Sequence, residues 1–240
     1  MKRFIVALPL FFPSLAFAGR EPFNQVLDNE VLPARGAELE SKITDKIGTP
    51  GGAGDETASW WGVAFGLSDQ VELVLPLEVS YSHADGTTNF TRYAAEVRWR
   101  MAKPGPPVVM RPIPMLRLAV ERGNSSQTLE AQADLTVGTD LSKKVHTAVD
   151  LGGNFVSDAS ESTGHLGIGV TGNVTGALRL GGEVDANAAF IPTFSGPNLA
   201  AGPDVSYTTG PFWITAGGVV GLGATIPDPV VLRLSWGVEF

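Results

Sequence analysis

Residues 71–81 read VELVLPLEVSY. Val71, Leu73, Leu75, Leu77, Val79 and Tyr81 share one parity, and Glu72, Pro76, Glu78 and Ser80 share the other. A repeat of two is the β-strand period, because successive side chains point to opposite faces of a sheet. The stretch is therefore a strand with one greasy face and one face that carries charge. A tilted strand crosses a bilayer in about 9–11 residues, which is the length of this one.

Working outward, the same alternation recurs over Ala37–Thr44, Ser59–Leu67, Thr91–Met101, Met115–Arg122, Thr128–Thr139, Val145–Phe155, Gly164–Val174, Leu178–Phe190, Leu199–Thr208, Phe212–Leu222 and Val230–Phe240. That gives an all-β chain of about twelve strands. The fifth, whose start is proline-rich, and the tenth carry the pattern least clearly, so ten strands is the alternative count.

Which face points inward decides the class. A soluble sandwich would turn the apolar parity toward one core. Three features favour the reverse, a closed antiparallel transmembrane β-barrel with its apolar parity in lipid. The charged parity is rich in glycine and alanine, which suits a crowded lumen. The strands have bilayer-crossing length. The connections interleave tight turns (68–70, 140–144, 175–177, 209–211 and the longer, proline-rich 102–108) with looser ones (46–58, 82–90, 123–127, 157–163, 191–198 and 223–229), as periplasmic turns and external loops would. Apolar-parity aromatics near strand ends would form two interfacial girdles: Trp61, Tyr81, Tyr93 and Phe155 at the loop side, and Trp99, Tyr207, Phe212, Trp236 and Phe240 at the turn side.

Composition agrees. The 240 residues include no cysteine, so no disulfide or thiolate chemistry is available. Charged residues are 18%, below the usual share of about 25%. The net charge of −8 disfavours nucleic acid as a partner. Residues 1–18 read MKRFIVALPLFFPSLAFA, with basic Lys2 and Arg3, an apolar Phe4–Phe12 core and an Ala16-Phe17-Ala18 cleavage site. This predicts a cleavable signal peptide and export. Residues 19–36 then form a periplasmic N-terminal segment, and 37–240 the barrel. Phe23, Val26, Leu27, Val31 and Leu32 give that segment a patchy apolar face; entry into the lumen as a plug is its other open placement.

The chain ends VVLRLSWGVEF, with Phe240 last and apolar residues at every second place before it. This resembles the carboxy-terminal signature of bacterial outer-membrane β-barrel proteins. The resemblance implies assembly by the barrel-assembly machinery, which reads Phe240, and residence among outer-membrane lipids. Leu32-Pro33, Gly36, Glu38-Leu39-Glu40 and the phrase Phe65–Leu73 are similar to outer-membrane transporters grouped with the meta-pathway phenol-degradation proteins. That narrower resemblance implies passive passage of a small-molecule solute, often aromatic.

With the apolar parity outside, the lumen is lined by Glu72, Arg92, Arg98, Arg100, Arg117, Glu130, Asp134, His146, Asp150, His165, Glu183, Asp185, Asp204 and Arg233. Bases gather on the fourth and fifth strands, and acids (Glu183, Asp185, Asp204) on the ninth and tenth, across a twelve-strand barrel. Opposed charged walls would set a field across a pore. The alternative is pairing between neighbouring strands, such as Arg98 or Arg100 with Glu72, which would close the interior and leave a structural or adhesive barrel.

A barrel hydrolase is the third reading. Its candidates are Ser80 with His83, and the trio His146, His165 and Asp150, which could serve acid–base or metal chemistry. No catalytic residue, metal site or cofactor is assigned. There is no HExxH, P-loop or Rossmann unit; Gly167-x-Gly169-x-x-Gly172 matches the dinucleotide pattern only formally, because it lies inside an alternating strand.

Overall fold

The computed structural model describes residues 21–48, 54–103, 105, 108–123, 128–157, 162–191, 194, 196–223 and 230–240. The expected leader and parts of most of the expected loops lie outside the described residues. The strands are β1 (Ala37–Ile47), β2 (Glu56–Ser68), β3 (Val71–Ser82), β4 (Thr88–Arg100), β5 (Ile113–Gly123), β6 (Leu129–Ser142), β7 (Val145–Val156), β8 (Ser162–Asn173), β9 (Leu178–Ile191), β10 (Asn198–Thr209), β11 (Phe212–Gly221) and β12 (Val230–Glu239). Each pairs with its sequence neighbours, and β1 pairs antiparallel with β12 from Glu38↔Glu239 to Ile47↔Val230, closing the barrel. The count is twelve, and both strands with the fainter pattern are present.

The reason β10 reads faintly is visible. Pro203 has no N–H to give to a ladder. The registered pairs between β10 and β11 stop at Ala201↔Val220 and resume at Asp204↔Gly217, so the proline falls in the interruption. On its other side Pro203 is registered with Gly182 of β9.

Parity sets what each face meets. Leu75, Leu118, Leu151 and Leu180 are 48%, 49%, 57% and 48% exposed, whereas Glu72, Asp134 and Asp150 are 0%, 1% and 1% exposed. Leaving one leucine in water costs about 1.5–3 kcal/mol, and every strand carries such residues. A wall of this kind is stable in lipid and not in water, which is the logic of an outer-membrane barrel.

The aromatic girdles need one correction. Trp61 and Trp236 were expected at opposite interfaces, yet both are registered with Ser41 of β1 and their rings meet edge-on, centroids 5.7 Å apart. Both lie well inside their strands, Trp61 sixth in β2 (Glu56–Ser68) and Trp236 seventh in β12 (Val230–Glu239), and register with β1 brings them together. Between them they leave the outward-facing Ser41 fully buried. At the loop side, Tyr93 stacks on Phe90, Tyr81 packs on His83, and Phe155 meets Phe190. Trp99, Tyr207 and Phe240 are exposed on the outer wall, with Phe212 half-buried there. The Phe240 N–H donates to the Ala37 carbonyl (2.8 Å), so the last residue sits at the closing seam.

Candidate functional site: the lumen and its N-terminal segment

The lumen contains chain. Residues 21–35 run inside the barrel rather than beneath it, and they reach every strand. Starting from the β1 end, the Arg35 and Ala34 amides donate to the Gly66 carbonyl (2.8 Å) and to Asp69 Oδ1 (3.0 Å). The Leu32 amide donates to Glu72 Oε2 (2.7 Å), while its side chain packs with Ala64, Val74 and Trp60. Asn29 Nδ2 donates to the Ile113 carbonyl (3.3 Å). Asp28 Oδ1 lies 3.0 Å from His146 Nε2. The Gln25 and Val26 amides both donate to Glu183 Oε2, at 2.8 and 3.1 Å. Asn24 Nδ2 donates to Asp204 Oδ1 (2.8 Å), and the Asn24 carbonyl accepts from Arg233. The circuit closes at Glu21, which pairs with Lys42 of β1 (3.0 Å), approaches Arg98 of β4 (3.9 Å) and accepts from Thr215 of β11 through its carbonyl.

These bonds answer a physical requirement. An irregular segment has unpaired backbone groups, and each one buried without a partner costs about 1–3 kcal/mol. The inward acids Glu72, Glu183 and Asp204 supply acceptors at the places where the segment offers donors. Burial by itself raises the Asp28 carboxyl, but His146 and the Asn29 amide outweigh it and hold the group below its usual value of 3.8.

Inward glycines make the room. A Cβ on Gly66 would come within 1.9 Å of the Pro33 carbonyl oxygen; on Gly138, within 2.5 Å of Asn29; on Gly167, within 2.9 Å of Val26; on Gly169, within 2.6 Å of the Phe23 ring; and on Gly217, within 2.3 Å of Asn24. Phe23 also packs with Val26 and Ala148, and stacks on His146 at 6.2 Å. The Gly167-x-Gly169 pair is thus the bed of this segment and has no nucleotide role in the fold.

Above the segment, toward the loops, lies a cavity of about 570 Å³. Gln25 and Leu27 contribute to its floor, and Lys42, Lys46, Arg92, Arg117, Asp150, His165, Asp185 and Arg233 are among its walls. Lys42 Nζ sits 5.1 Å from the Trp60 ring centroid, within cation–π range.

The arginines meet acids of neighbouring strands. Arg92 is bidentate to Glu78 (3.1 and 3.0 Å) and reaches Glu121 (3.0 Å). Arg98 contacts Glu96 on its own strand, Glu72 at 3.0 Å and Glu40 at 3.4 Å. Arg117 bridges Glu96 (2.8 Å) and Asp134 (2.9 Å). Of the two arrangements open in the sequence, opposed charged walls or pairing between neighbouring strands, these contacts are of the second kind: a guanidinium at low dielectric costs several kcal/mol unless a carboxylate sits beside it. Arg98 makes the anticipated pair with Glu72. Arg100 exchanges backbone and amide hydrogen bonds with Gln70, and its Nε is buried without a hydrogen-bond partner among the described residues.

The other expected lining residues disperse. Arg233 Nε donates to Thr44 (3.0 Å), Glu130 accepts from Asn154 (3.0 Å), and Asp185 accepts from Asn187. His146 and His165, grouped with Asp150 in sequence, part company. His146 bonds Asp28 and Asp140 near the turn side, whereas His165 Nε2 lies 3.1 Å from Asp150 and 3.4 Å from Asp134. His83 is 2.8 Å from Thr57 and 3.5 Å from Asp45. Among the described contacts neither proposed histidine set supplies a nucleophile–base pair. Sequence reasoning missed Glu21, Asn24, Gln25, Asp28, Asn29, Glu40 and Glu96. The signal that could have found the segment's path is the set of glycines on the inward parity.

No protein-family model matches the chain, and no curated protein does. Solved structures resemble it in fold. An outer-membrane channel from Pseudomonas putida F1 superposes with a TM-score of 0.63 at 11% identity, over 89% of this chain and 98% of that one. The NanC porin gives 0.59 at 8% identity, over 84% and 100%. The KdgM porin in complex with disordered oligogalacturonate gives 0.53 at 11%, over 85% and 99%. The likeness to outer-membrane β-barrels is therefore structural, while the narrower likeness to the meta-pathway transporters is matched by no family model.

Proposed function

We propose that this chain is a passive outer-membrane channel for small polar solutes, entered from the loop side and narrowed at the turn side by residues 21–35. The observation that carries the reading is the cavity of about 570 Å³ walled by ionic side chains and floored by the N-terminal segment. Its lining is polar, which favours a hydrated solute over the apolar or aromatic one implied by the narrower resemblance. The leader at 1–18 would export the chain, and the barrel-assembly machinery would read Phe240 at the seam. Passage needs no chemistry, and no catalytic step is assigned.

The buried Arg98 and Arg117 networks, with the seated segment, favour a second reading: a structural or adhesive barrel with a closed lumen. Single-channel conductance and liposome swelling with saccharides of graded size separate the two. A channel gives discrete conductance steps and swelling that falls with solute size, both larger when the segment is loosened. Silence from the intact protein and from a loosened variant alike would leave the closed barrel standing.

A further inference from the structure

Three side chains on consecutive strands converge where the cavity wall is acidic. Asp134 of β6, Asp150 of β7 and His165 of β8 each offer one donor atom, and the three atoms lie within 4.8 Å of one another. His165 Nε2 is 3.1 Å from Asp150 Oδ2 and 3.4 Å from Asp134 Oδ1. A tetrahedral zinc ion with bonds of about 2.0–2.1 Å separates its ligands by about 3.3 Å, so these two edges already have the required length.

Each carboxylate is oriented by a second group. Arg117 Nη1 donates to Asp134 Oδ2 (2.9 Å), and Thr136 Oγ1 donates to Asp150 Oδ1 (2.9 Å). The outer oxygens are thus occupied and the inner ones are turned toward His165. Outer partners of this kind fix ligand geometry in metal sites. Asp134 is 1% exposed, and its Oδ1 is buried with no hydrogen-bond partner. A buried carboxylate oxygen without a donor is costly, and it points into the cluster. Gly152 completes the cradle: a Cβ there would lie 1.9 Å from Asp134 Oδ1 and 2.6 Å from His165 Cε1. Asp150 and His165 also face the cavity, so a fourth position opens toward solvent.

We infer that Asp134, Asp150 and His165 form a binding site for a zinc-class divalent cation on the cavity wall. Two carboxylates and an imidazole suit zinc, whose sites mix oxygen and nitrogen donors. No ligand spacing in the sequence announces the site, because its members come from three strands and meet only through register. The inference does not depend on solute passage, since binding is read directly.

The test is calorimetric titration of the purified, refolded barrel with zinc at pH 7.5, together with cobalt(II) absorption as a report on geometry. The expected result is one equivalent of zinc bound, with tetrahedral-type visible bands from cobalt. His165→Gln keeps an amide donor beside Asp150 and removes the metal ligand; it should abolish uptake. Thr136→Val leaves all three ligands and removes one orienting bond; it should weaken binding about 10–100-fold. No uptake by the wild type would overturn the site. So would uptake unchanged in His165→Gln, which would place the ion at His83 or His146 instead. If His165→Gln fails to refold, an unchanged affinity in Thr136→Val would overturn it equally.

Discussion

Replacing Phe23 by alanine should loosen the N-terminal segment without touching the wall. Phe23 is 2% exposed, and its ring lies on Gly169 with Val26 and Ala148 beside it. Deleting a buried phenylalanine side chain costs about 3–5 kcal/mol. None of the barrel's ladder bonds involves this residue, so the loss falls on the equilibrium between seated and released segment. At about 1.4 kcal/mol per factor of ten, release becomes roughly 10²- to 4 × 10³-fold more populated. Amide exchange followed by mass spectrometry reads this at the Gln25 and Val26 amides, now held by Glu183. Their protection should fall by that factor while peptides from β3 and β7 keep theirs. Gly169→Val approaches the same contact from the wall, because its Cβ would meet a rigid ring at 2.6 Å. It should give the same exchange pattern with Phe23 intact. Both variants should also conduct more than the parent. Undiminished protection in both, with the barrel folded, would refute the seating role of this contact.

Other outcomes follow from the same contacts. Arg98→Met removes the guanidinium shared by Glu40, Glu72 and Glu96, which are 1%, 0% and 2% exposed, and leaves Arg117 on Glu96; barrel stability in detergent should drop by about 3–5 kcal/mol, measured by urea unfolding. Asp28 has its carboxyl held below 3.8, so its stabilisation is complete above that value and lost as pH falls through the lowered one. The ratio of wild-type conductance to that of an Asp28→Asn control should accordingly be constant from neutral pH to about 4 and rise in more acid buffer. Trp61→Ala breaks the edge-on pair with Trp236 and uncovers Ser41; the lost pair alone is worth about 0.5–1.5 kcal/mol, and the midpoint of urea unfolding should shift down.

The wall was legible because a barrel's instructions are local. Each strand announces itself by parity, as Val71–Tyr81 does, and each neighbour relation follows from chain order. The lumen was legible only in kind. That Glu72 and Glu183 face inward follows from parity, but that each accepts from a backbone amide of residues 25–32 does not. Those contacts span 40 and 157–158 positions, and no periodic pattern encodes such a meeting. The same is true of Trp61 against Trp236, and of His165 against Asp134. Register around a tilted sheet fixes them, and register is a property of the closed barrel.

Inward glycine is where the two levels join. A transmembrane strand gains nothing from glycine, which costs about 0.5–1 kcal/mol relative to alanine in a strand interior. A barrel whose interior held only water would have no reason to bear that cost at Gly66, Gly138, Gly167, Gly169 and Gly217. Each instead lies under a residue of the N-terminal segment at a distance no Cβ allows. The acids repeat the argument in polar form. Glu183 is 3% exposed and Asp204 3% exposed, with no lysine or arginine bridged to either among the described residues; what they hold is Gln25, Val26 and Asn24. Burying a carboxylate for amide donors makes sense only if those donors are regularly there. The wall is thus shaped, glycine by glycine and acid by acid, to an occupant drawn from its own chain, and the seated segment is as much a part of the fold as the strands around it.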